Sequence, residues 1–213
     1  MTGATTTMNY IAHDEQVWFE NLEAKDHVWL IDDFTKTSTS AFYDVTVVAI
    51  LRGYLLQKCF ELKLDEHQRR YISTGTGEPI YVSLSHSKNW LLLGLSRHAP
   101  LGVDIEVLDE RRRYKAIARR YFPQEAINNY HDFLVAWTAR EAFVKAEGCA
   151  IDYRFATITT EQQLQNMVIG FKGTFSHSVV HYCREHTIAA VCRRGQRDLK
   201  LCSVLDLSDH ENR

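Results

Sequence analysis

Two carboxylates alternate with branched apolar residues at positions 102–106, where the sequence is Gly-Val-Asp-Ile-Glu. Alternate side chains of a β-strand share a face, so the pattern predicts a strand that directs Asp104 and Glu106 to one side and Val103 and Ile105 to the other. A solvated sheet edge also produces such a pattern. The segment therefore constrains the fold before it says anything about chemistry.

A second segment, residues 137–145 (WTAREAFVK), contains neither Gly nor Pro and predicts a helix. Glu141 and Lys145 are four residues apart and hence neighbours on its surface, a spacing that is also typical of a simple surface ion pair. Together with Asp104 and Glu106 they would supply three carboxylates and one ammonium. That set suits a hard divalent cation holding a phosphate, with a lysine beside the charge that develops on oxygen.

A third segment, residues 83–87 (SLSHS), closes an alternating strand with hydroxyl groups and a histidine. Hydroxyls, an imidazole and open backbone N–H groups at a strand end are suited to contact a phosphate. Taken alone, His86 is equally compatible with a structural hydrogen bond.

In this order and at this spacing, the three segments resemble the 4′-phosphopantetheinyl transferase superfamily, in particular its larger, Sfp-type group. The family places a Ser-His-Ser segment first, then G-[IV]-D-[IV]-E, then W-x-x-[KR]-E-[AS]-x-x-K. Residues 77–79 (Gly-Glu-Pro) are also similar to the G-x-P turn before the Ser-His strand, although Glu78 stands where many members have a basic residue. The resemblance is strong over residues 77–148 and looser elsewhere.

The resemblance implies an α+β fold of two similar subdomains, each with helices packed on a small antiparallel sheet. The subdomains would be related by a pseudo-twofold axis, with the active site between them and the halves at residues 1–107 and 108–213. In the first half, hydrophobic spacing predicts a helix over 39–61, a loop over 65–79 and strands near 80–85, 90–96 and 101–107. In the second half it predicts helices over 111–121 and 133–147, the latter closed by Gly148, followed by strands near 155–159, 168–175, 179–183, 187–192 and 200–204.

The activity that the resemblance implies is transfer of the 4′-phosphopantetheine arm of coenzyme A to a serine of an apo carrier protein. Mg²⁺ or Mn²⁺ would be held by Asp104, Glu106 and Glu141. Glu141 and Lys145 would be catalytic, although the sequence does not separate a ligand role of Glu141 from a general-base role. Coenzyme A would contact Ser85, His86 and Lys145. The group that binds its 3′-phosphate stays open, with Arg69 and Arg70 as candidates on charge alone.

A basic segment at 109–120 carries six basic and two acidic residues, a local charge of +4 in a chain of net charge −2. It is either a solvated helix face or a docking surface for an acidic acyl or peptidyl carrier protein, with Arg112, Arg113 and Arg119 as candidate contacts. The net charge argues against nucleic acid as a partner, and no apolar run is long enough to cross a membrane. We expect a monomer.

The five cysteines form no C-x-x-C pair, and the first nine residues do not resemble a secretory signal, so we expect a reduced, cytoplasmic protein. Two other functions remain open. A metal-dependent nuclease also uses such carboxylates and a lysine, but it favours a broad basic surface. A non-catalytic module that binds coenzyme A or a carrier protein would be expected to lack one of the four site residues.

Overall fold

The computed structural model describes residues 5–10, 26–31, 34, 45–55, 60–73, 78–109, 114–122, 125–163, 167–184, 186–194 and 200–202. These ranges contain three α-helices: α1 (Val45–Leu55), α2 (Tyr114–Tyr121) and α3 (Tyr130–Glu147). They also contain twelve strands: β1 (Thr5–Tyr10), β2 (His27–Ile31), β3 (Glu61–Leu64), β4 (Arg70–Ser73), β5 (Ile80–Ser87), β6 (Trp90–Ser96), β7 (Leu101–Val107), β8 (Ile158–Gln162), β9 (Met167–Phe171), β10 (Thr174–Arg184), β11 (Thr187–Arg194) and β12 (Lys200–Cys202).

The strands form two sheets. The first has seven strands in the order β12-β1-β2-β6-β5-β4-β3, and the second has five in the order β7-β11-β10-β9-β8. In the first sheet β1 pairs in parallel with both β12 and β2, while all other pairings in the two sheets are antiparallel. The predicted α+β fold with two similar subdomains is confirmed.

Three apolar cores separate the layers. Trp29, Leu51 and Leu93 belong to the core between α1 and the first sheet. The middle core contains Leu92 and Val103 and lies between the two sheets. The third packs α3 and α2 against the outer face of the second sheet. The order of layers is thus helix, sheet, sheet, helix, as expected when each sheet buries both faces.

The strands predicted near 80–85, 90–96 and 101–107 are confirmed as β5, β6 and β7. The loop predicted over 65–79 is wrong in part, because residues 70–73 form β4. Its Tyr71 and Ile72 pair with both β3 and β5, a tertiary pairing that the polar composition concealed. The helix predicted over 39–61 extends too far, since α1 ends at Leu55 and Glu61 begins β3; residues 39–44 lie outside the described residues.

The predicted division at residue 107 stays a prediction, but the strands cross it. Strand β7 precedes residue 108 and pairs with β11 in the second sheet, while β12 returns to the first sheet. The described residues include no helix long and apolar enough to cross a membrane.

Helix α3 has defined ends. The side chain of Asn129 accepts a hydrogen bond from the Asp132 N–H at the N-terminus, and Gly148 closes the C-terminus in the left-handed conformation at φ 70°. Gly148 also contacts the turn at His67 closely, since a Cβ here would lie 1.8 Å from the His67 carbonyl oxygen. The predicted C-cap is confirmed.

Candidate active site

Serines of β5 join the two sheets beside β7. The Ser83 hydroxyl accepts the Val103 N–H at 3.0 Å, and the Ser87 hydroxyl accepts the Val107 N–H at 3.1 Å. Between them, Ser85 donates to Asp104 Oδ1 at 2.7 Å. Alternate serines thus satisfy the free edge of β7 in place of a neighbouring strand, which fixes the D-x-E segment against the Ser-His-Ser strand.

The glycine of the D-x-E segment lets α3 approach β7. A Cβ at Gly102 would lie 1.8 Å from the Ala142 carbonyl oxygen and 2.6 Å from the Ala146 nitrogen, both backbone atoms of α3. No larger residue fits without moving the helix. This close approach brings the C-terminal half of α3 over β7.

Lys145 and Asp104 meet at this contact. Lys145 Nζ lies 2.8 Å from Asp104 Oδ1 and donates a second hydrogen bond to the Val103 carbonyl oxygen at 3.0 Å. Asp104 is only 5% exposed. Its other oxygen, Oδ2, is buried and accepts no hydrogen bond from any of the described residues.

Burial raises the pKa of Asp104, while the Lys145 ammonium and the Ser85 hydroxyl oppose that rise and nearby Glu106 adds to it. A buried carboxylate is stable as an anion only with positive charge beside it. The environment of Asp104 therefore favours a cation.

Glu106 lies two residues along the same strand and is half-buried, with the Ser87 hydroxyl donating to its Oε2 at 3.1 Å. Glu141 is half-buried on α3. No three His, Cys, Asp or Glu side chains in the described parts of the chain form a group that could hold a metal ion. The set of three carboxylates predicted for a metal, with Glu141 as the third, stays a prediction.

The residues on β7 nevertheless fit a magnesium ion. Mg²⁺ in phosphate-transfer sites is commonly held by one or two carboxylates together with substrate phosphates and water, and it does not need a complete protein cage. Asp104 Oδ2 is a buried acceptor that no donor among the described residues satisfies, and Glu106 shares its face of β7.

Ser85 and His86 have different surroundings. The Ser85 hydroxyl is buried and donates its hydrogen bond to Asp104. The His86 side chain is exposed, with its ring centroid 6.3 Å from that of Phe34. His86 is thus accessible to a ligand, and Ser85 orients the carboxylate. Their roles in binding coenzyme A stay predictions.

A cavity of about 290 Å³ adjoins Lys145 and was not predicted as a unit. Its lining includes Arg70, the first residue of β4, with the preceding Arg69, and Gly148 and Cys149, which directly follow α3. Asp65 holds Arg69 at 2.7 Å; burial raises the pKa of Asp65, but hydrogen bonds from Arg69 and the His67 N–H outweigh it and the net shift is downward. Arg70 begins β4, a strand that the sequence did not reveal.

Arg140 occupies a position that resembles a Lys or Arg site of the family, but its role here is structural. It is 1% exposed, donates to the Ala136 and Ile158 carbonyl oxygens at 3.1 Å, pairs with Glu125 and lies over the Phe122 ring. Burial lowers its pKa to about 10, so it is charged at neutral pH.

Trp137 packs among aromatic rings. Its ring centroid lies 5.7 Å from that of Phe133 and 5.4 Å from that of Phe155. The ring therefore fixes α3 to its neighbours and takes no part in the site.

Helix α2 borders a second cavity, of about 650 Å³. Exposed Lys115 and Arg119 line it beside apolar Tyr114, Phe122 and Ile127. Two of the predicted docking residues, Arg112 and Arg113, lie outside the described residues. The basic surface is therefore described here only for α2, where it includes Lys115 and Arg119.

Comparison with known proteins agrees with these observations. Residues 100–192 match the family model of the 4′-phosphopantetheinyl transferase superfamily. A putative 4′-phosphopantetheinyl transferase of Synechocystis sp. is 28% identical over 93 residues, which cover 39% of this chain and 38% of that protein.

Two further relatives are similar over longer segments. The 4′-phosphopantetheinyl transferase psf-1 of Bacillus pumilus is 28% identical over 128 residues, 52% of each chain. The 4′-phosphopantetheinyl transferase HetI of Nostoc sp. is 29% identical over 119 residues, 48% of each chain. The chain spans about half the length of the curated relatives it matches, or less.

Proposed function

We propose that the chain, which matches the family model of the 4′-phosphopantetheinyl transferase superfamily over residues 100–192 and is similar to three such transferases, transfers the 4′-phosphopantetheine arm of coenzyme A to a serine of an apo carrier protein. The carrier is of the acyl, peptidyl or aryl type. The enzyme is of the larger, Sfp-type group, acts as a monomer in the cytoplasm and depends on Mg²⁺ or Mn²⁺.

The observation that carries this proposal is the junction of β7 and α3. Lys145 and Asp104 form an ion pair across it, and the Ser-His-Ser strand is bonded to the same carboxylate. Three segments that are far apart in sequence thus meet at one buried charge. This convergence supports a phosphate site at the cleft between the two sheets.

In the proposed reaction, the carrier serine oxygen bonds to the β-phosphorus of coenzyme A, and the bond from that phosphorus to the bridging oxygen breaks. The departing group is 3′,5′-ADP. When bound at Asp104 and Glu106, with Glu141 as the proposed third ligand, a divalent cation neutralises charge on the pyrophosphate. Glu141 accepts the serine proton, directly or through water. Lys145 contacts the α-phosphate and stabilises the negative charge of the leaving group.

Coenzyme A contacts are assigned on accessibility and charge. His86, which is exposed at the end of β5, contacts a phosphate, and Ser85 holds Asp104 in place while lying beside the same ligand. The cavity that Arg69 and Arg70 line next to Lys145 supports these arginines as contacts of the 3′-phosphate.

The carrier protein docks on α2. Exposed Lys115 and Arg119 supply positive charge beside an apolar cavity, which suits an acidic partner that inserts an apolar side chain. Arg112 and Arg113 are further candidate contacts in this proposal, on the basis of their charge.

Incubation of the protein with coenzyme A, Mg²⁺ and apo carrier proteins of each type tests the function by intact mass. We expect a carrier to gain one phosphopantetheine arm, and no gain in a matched sample with EDTA. Coenzyme A binding without any mass gain would indicate the binding module, and cleavage of DNA without a gain would indicate the nuclease. Near-normal transfer in EDTA would exclude the metal role of Asp104 and Glu106.

A further inference from the structure

Lys145 is the positive partner of Asp104 at the junction of α3 and β7. The side chain of Lys145 is 30% exposed and lines the cavity, whereas that of Asp104 is 7% exposed, so Lys145 is the more accessible partner of the ion pair. Lys145 donates to Asp104 Oδ1 and to the Val103 carbonyl oxygen. Two of its three protons are thus directed at β7, away from any ligand in the cavity.

The two oxygens of Asp104 differ. Oδ1 accepts from both Ser85 and Lys145, whereas Oδ2 is buried and accepts from no donor in the described part of the chain. A carboxylate with this burial requires a counter-charge. Lys145 is the residue that provides it in this structure.

We propose that Lys145 is an internal counter-ion of Asp104 that lies beside the proposed metal position and leaves Asp104 only when a phosphate-bearing ligand offers its ammonium another acceptor. The inference rests on the proposed metal site. A dication beside Asp104 would face the positive charge of Lys145, and the resulting repulsion weakens binding of the metal alone. An anion in the cavity relieves this repulsion by drawing Lys145 away and by adding oxygen ligands.

The consequence is thermodynamic coupling between metal and phosphate ligand. Each ligand increases the affinity of the other by the same factor, because both favour the state in which Lys145 has released Asp104. The ion pair then delays assembly of the reactive site until coenzyme A is present.

Removal of the Lys145 ammonium tests the repulsion of the metal on which this coupling depends, without any transfer reaction. Mn²⁺ alone, without coenzyme A or carrier protein, is titrated into the full chain at mildly alkaline pH, and free Mn²⁺ is measured by electron paramagnetic resonance. We expect Lys145→Met to bind Mn²⁺ about tenfold more tightly than the wild type, a factor within the usual range of such couplings. Lys145→Arg retains the charge and should resemble the wild type.

Three controls make the measurement specific. Lys172→Met removes an exposed cation elsewhere and should leave Mn²⁺ affinity unchanged. The double variant Lys145→Met with Asp104→Asn should lose the tight site. Lys145→Gln, with folding checked by circular dichroism, provides a polar alternative if Lys145→Met does not fold.

Equal Mn²⁺ affinity of wild type and both neutral variants would overturn the inference, and so would absence of Mn²⁺ binding by folded neutral variants. The transfer assay is independent of these outcomes. A wild type that transfers phosphopantetheine while the neutral variants bind Mn²⁺ no more tightly would contradict the counter-ion role alone. Tighter Mn²⁺ binding by the variants, with no transfer by the wild type, would contradict the proposed reaction alone.

Discussion

Gly102 lies directly against Ala142, so close that a Cβ on the glycine would be 1.8 Å from the alanine's carbonyl oxygen. This contact sets the distance between β7 and α3 and thereby the Lys145–Asp104 ion pair. We predict that Gly102→Ala displaces α3, destabilises the fold by about 1–3 kcal/mol through overpacking and abolishes transfer. Chemical denaturation and the intact-mass assay measure the two effects.

Gly94→Ala is a matched control for that substitution. The atoms nearest to a Cβ at Gly94 would be side-chain atoms of Leu101 and Val103, at 2.5 and 2.7 Å, and side chains can rotate where a helix backbone cannot. We expect Gly94→Ala to lose stability but retain transfer when folded. Full transfer by Gly102→Ala would show that the close approach does not position the site.

Lys145→Ala separates a role in the reaction from a role in substrate binding. If Lys145 stabilises charge on the departing 3′,5′-ADP, the substitution lowers kcat more than it raises KM for coenzyme A. Steady-state kinetics with saturating carrier protein give both constants. A change confined to KM would indicate that Lys145 contacts a phosphate in the ground state. Unchanged kinetics would indicate that Lys145 forms only a structural ion pair.

His177 makes stability depend on pH. The ring is 1% exposed, with Nε2 3.3 Å from Glu147 Oε1 and Nδ1 2.9 Å from the Ser176 hydroxyl. Burial, helped by Arg194 and Arg69, lowers its pKa from 6.5 to about 4. At neutral pH the ring is therefore uncharged, and its contact with Glu147 joins a neutral imidazole to a carboxylate.

Between those two pKa values the unfolded chain binds a proton at His177 that the folded chain does not bind. Stability is therefore lost as pH falls from 6.5 to about 4, by about 3 kcal/mol from this residue. We predict that His177→Gln flattens this part of the curve of unfolding free energy against pH. Parallel curves for wild type and variant would contradict the prediction.

The carboxyl groups with shifted pKa values do not produce the same loss of stability between pH 6.5 and about 4. Lowered pKa values of Asp65 and Asp152 remove stability only below their usual value of 3.8. The raised pKa of Asp104 has the opposite slope, because the folded chain then binds the extra proton. The difference between wild type and His177→Gln isolates the histidine.

The surface of α2 has a prediction of its own. Reversal of Lys115 and Arg119 to Glu should raise KM for the carrier protein and weaken its dependence on salt, while KM for coenzyme A stays unchanged. Lys172→Glu is the matched control, since Lys172 is an exposed cation at the turn between β9 and β10. If the wild type and the double reversal have identical kinetics with the carrier protein across a salt series, α2 is only a solvated helix face and does not dock the carrier.

The sequence predicted the local structure of the site well. Alternation in β7, the uninterrupted run of α3 and the Gly148 cap are properties of neighbouring residues, and each is confirmed. The resemblance also brought Asp104 and Lys145 to one place before their contact was known. What it could not supply was the detail of that contact, such as the orientation of Ser85 toward Asp104 rather than toward a ligand.

Features that depend on long-range pairing escaped prediction. Strand β4 is polar and looks like a loop until β3 and β5 pair with it, and its Arg70 lines the cavity that Lys145 also lines. The burial of Arg140 was not predicted, because it depends on Glu125 and on the Ala136 and Ile158 carbonyl oxygens around it. The secondary structure and burial of such residues depend on tertiary partners that the local sequence does not reveal.

The most direct test of the account compares two aspartates by the intact mass of an apo carrier protein after incubation with coenzyme A and Mg²⁺. Asp104→Ala removes the buried carboxylate of β7, whereas Asp152→Ala removes an outer carboxylate that pairs with Arg154. We predict that the wild type and Asp152→Ala add one phosphopantetheine arm and release 3′,5′-ADP in equal amount, while folded Asp104→Ala adds none. Normal transfer by Asp104→Ala, or no transfer to any carrier type by the wild type, would contradict the account.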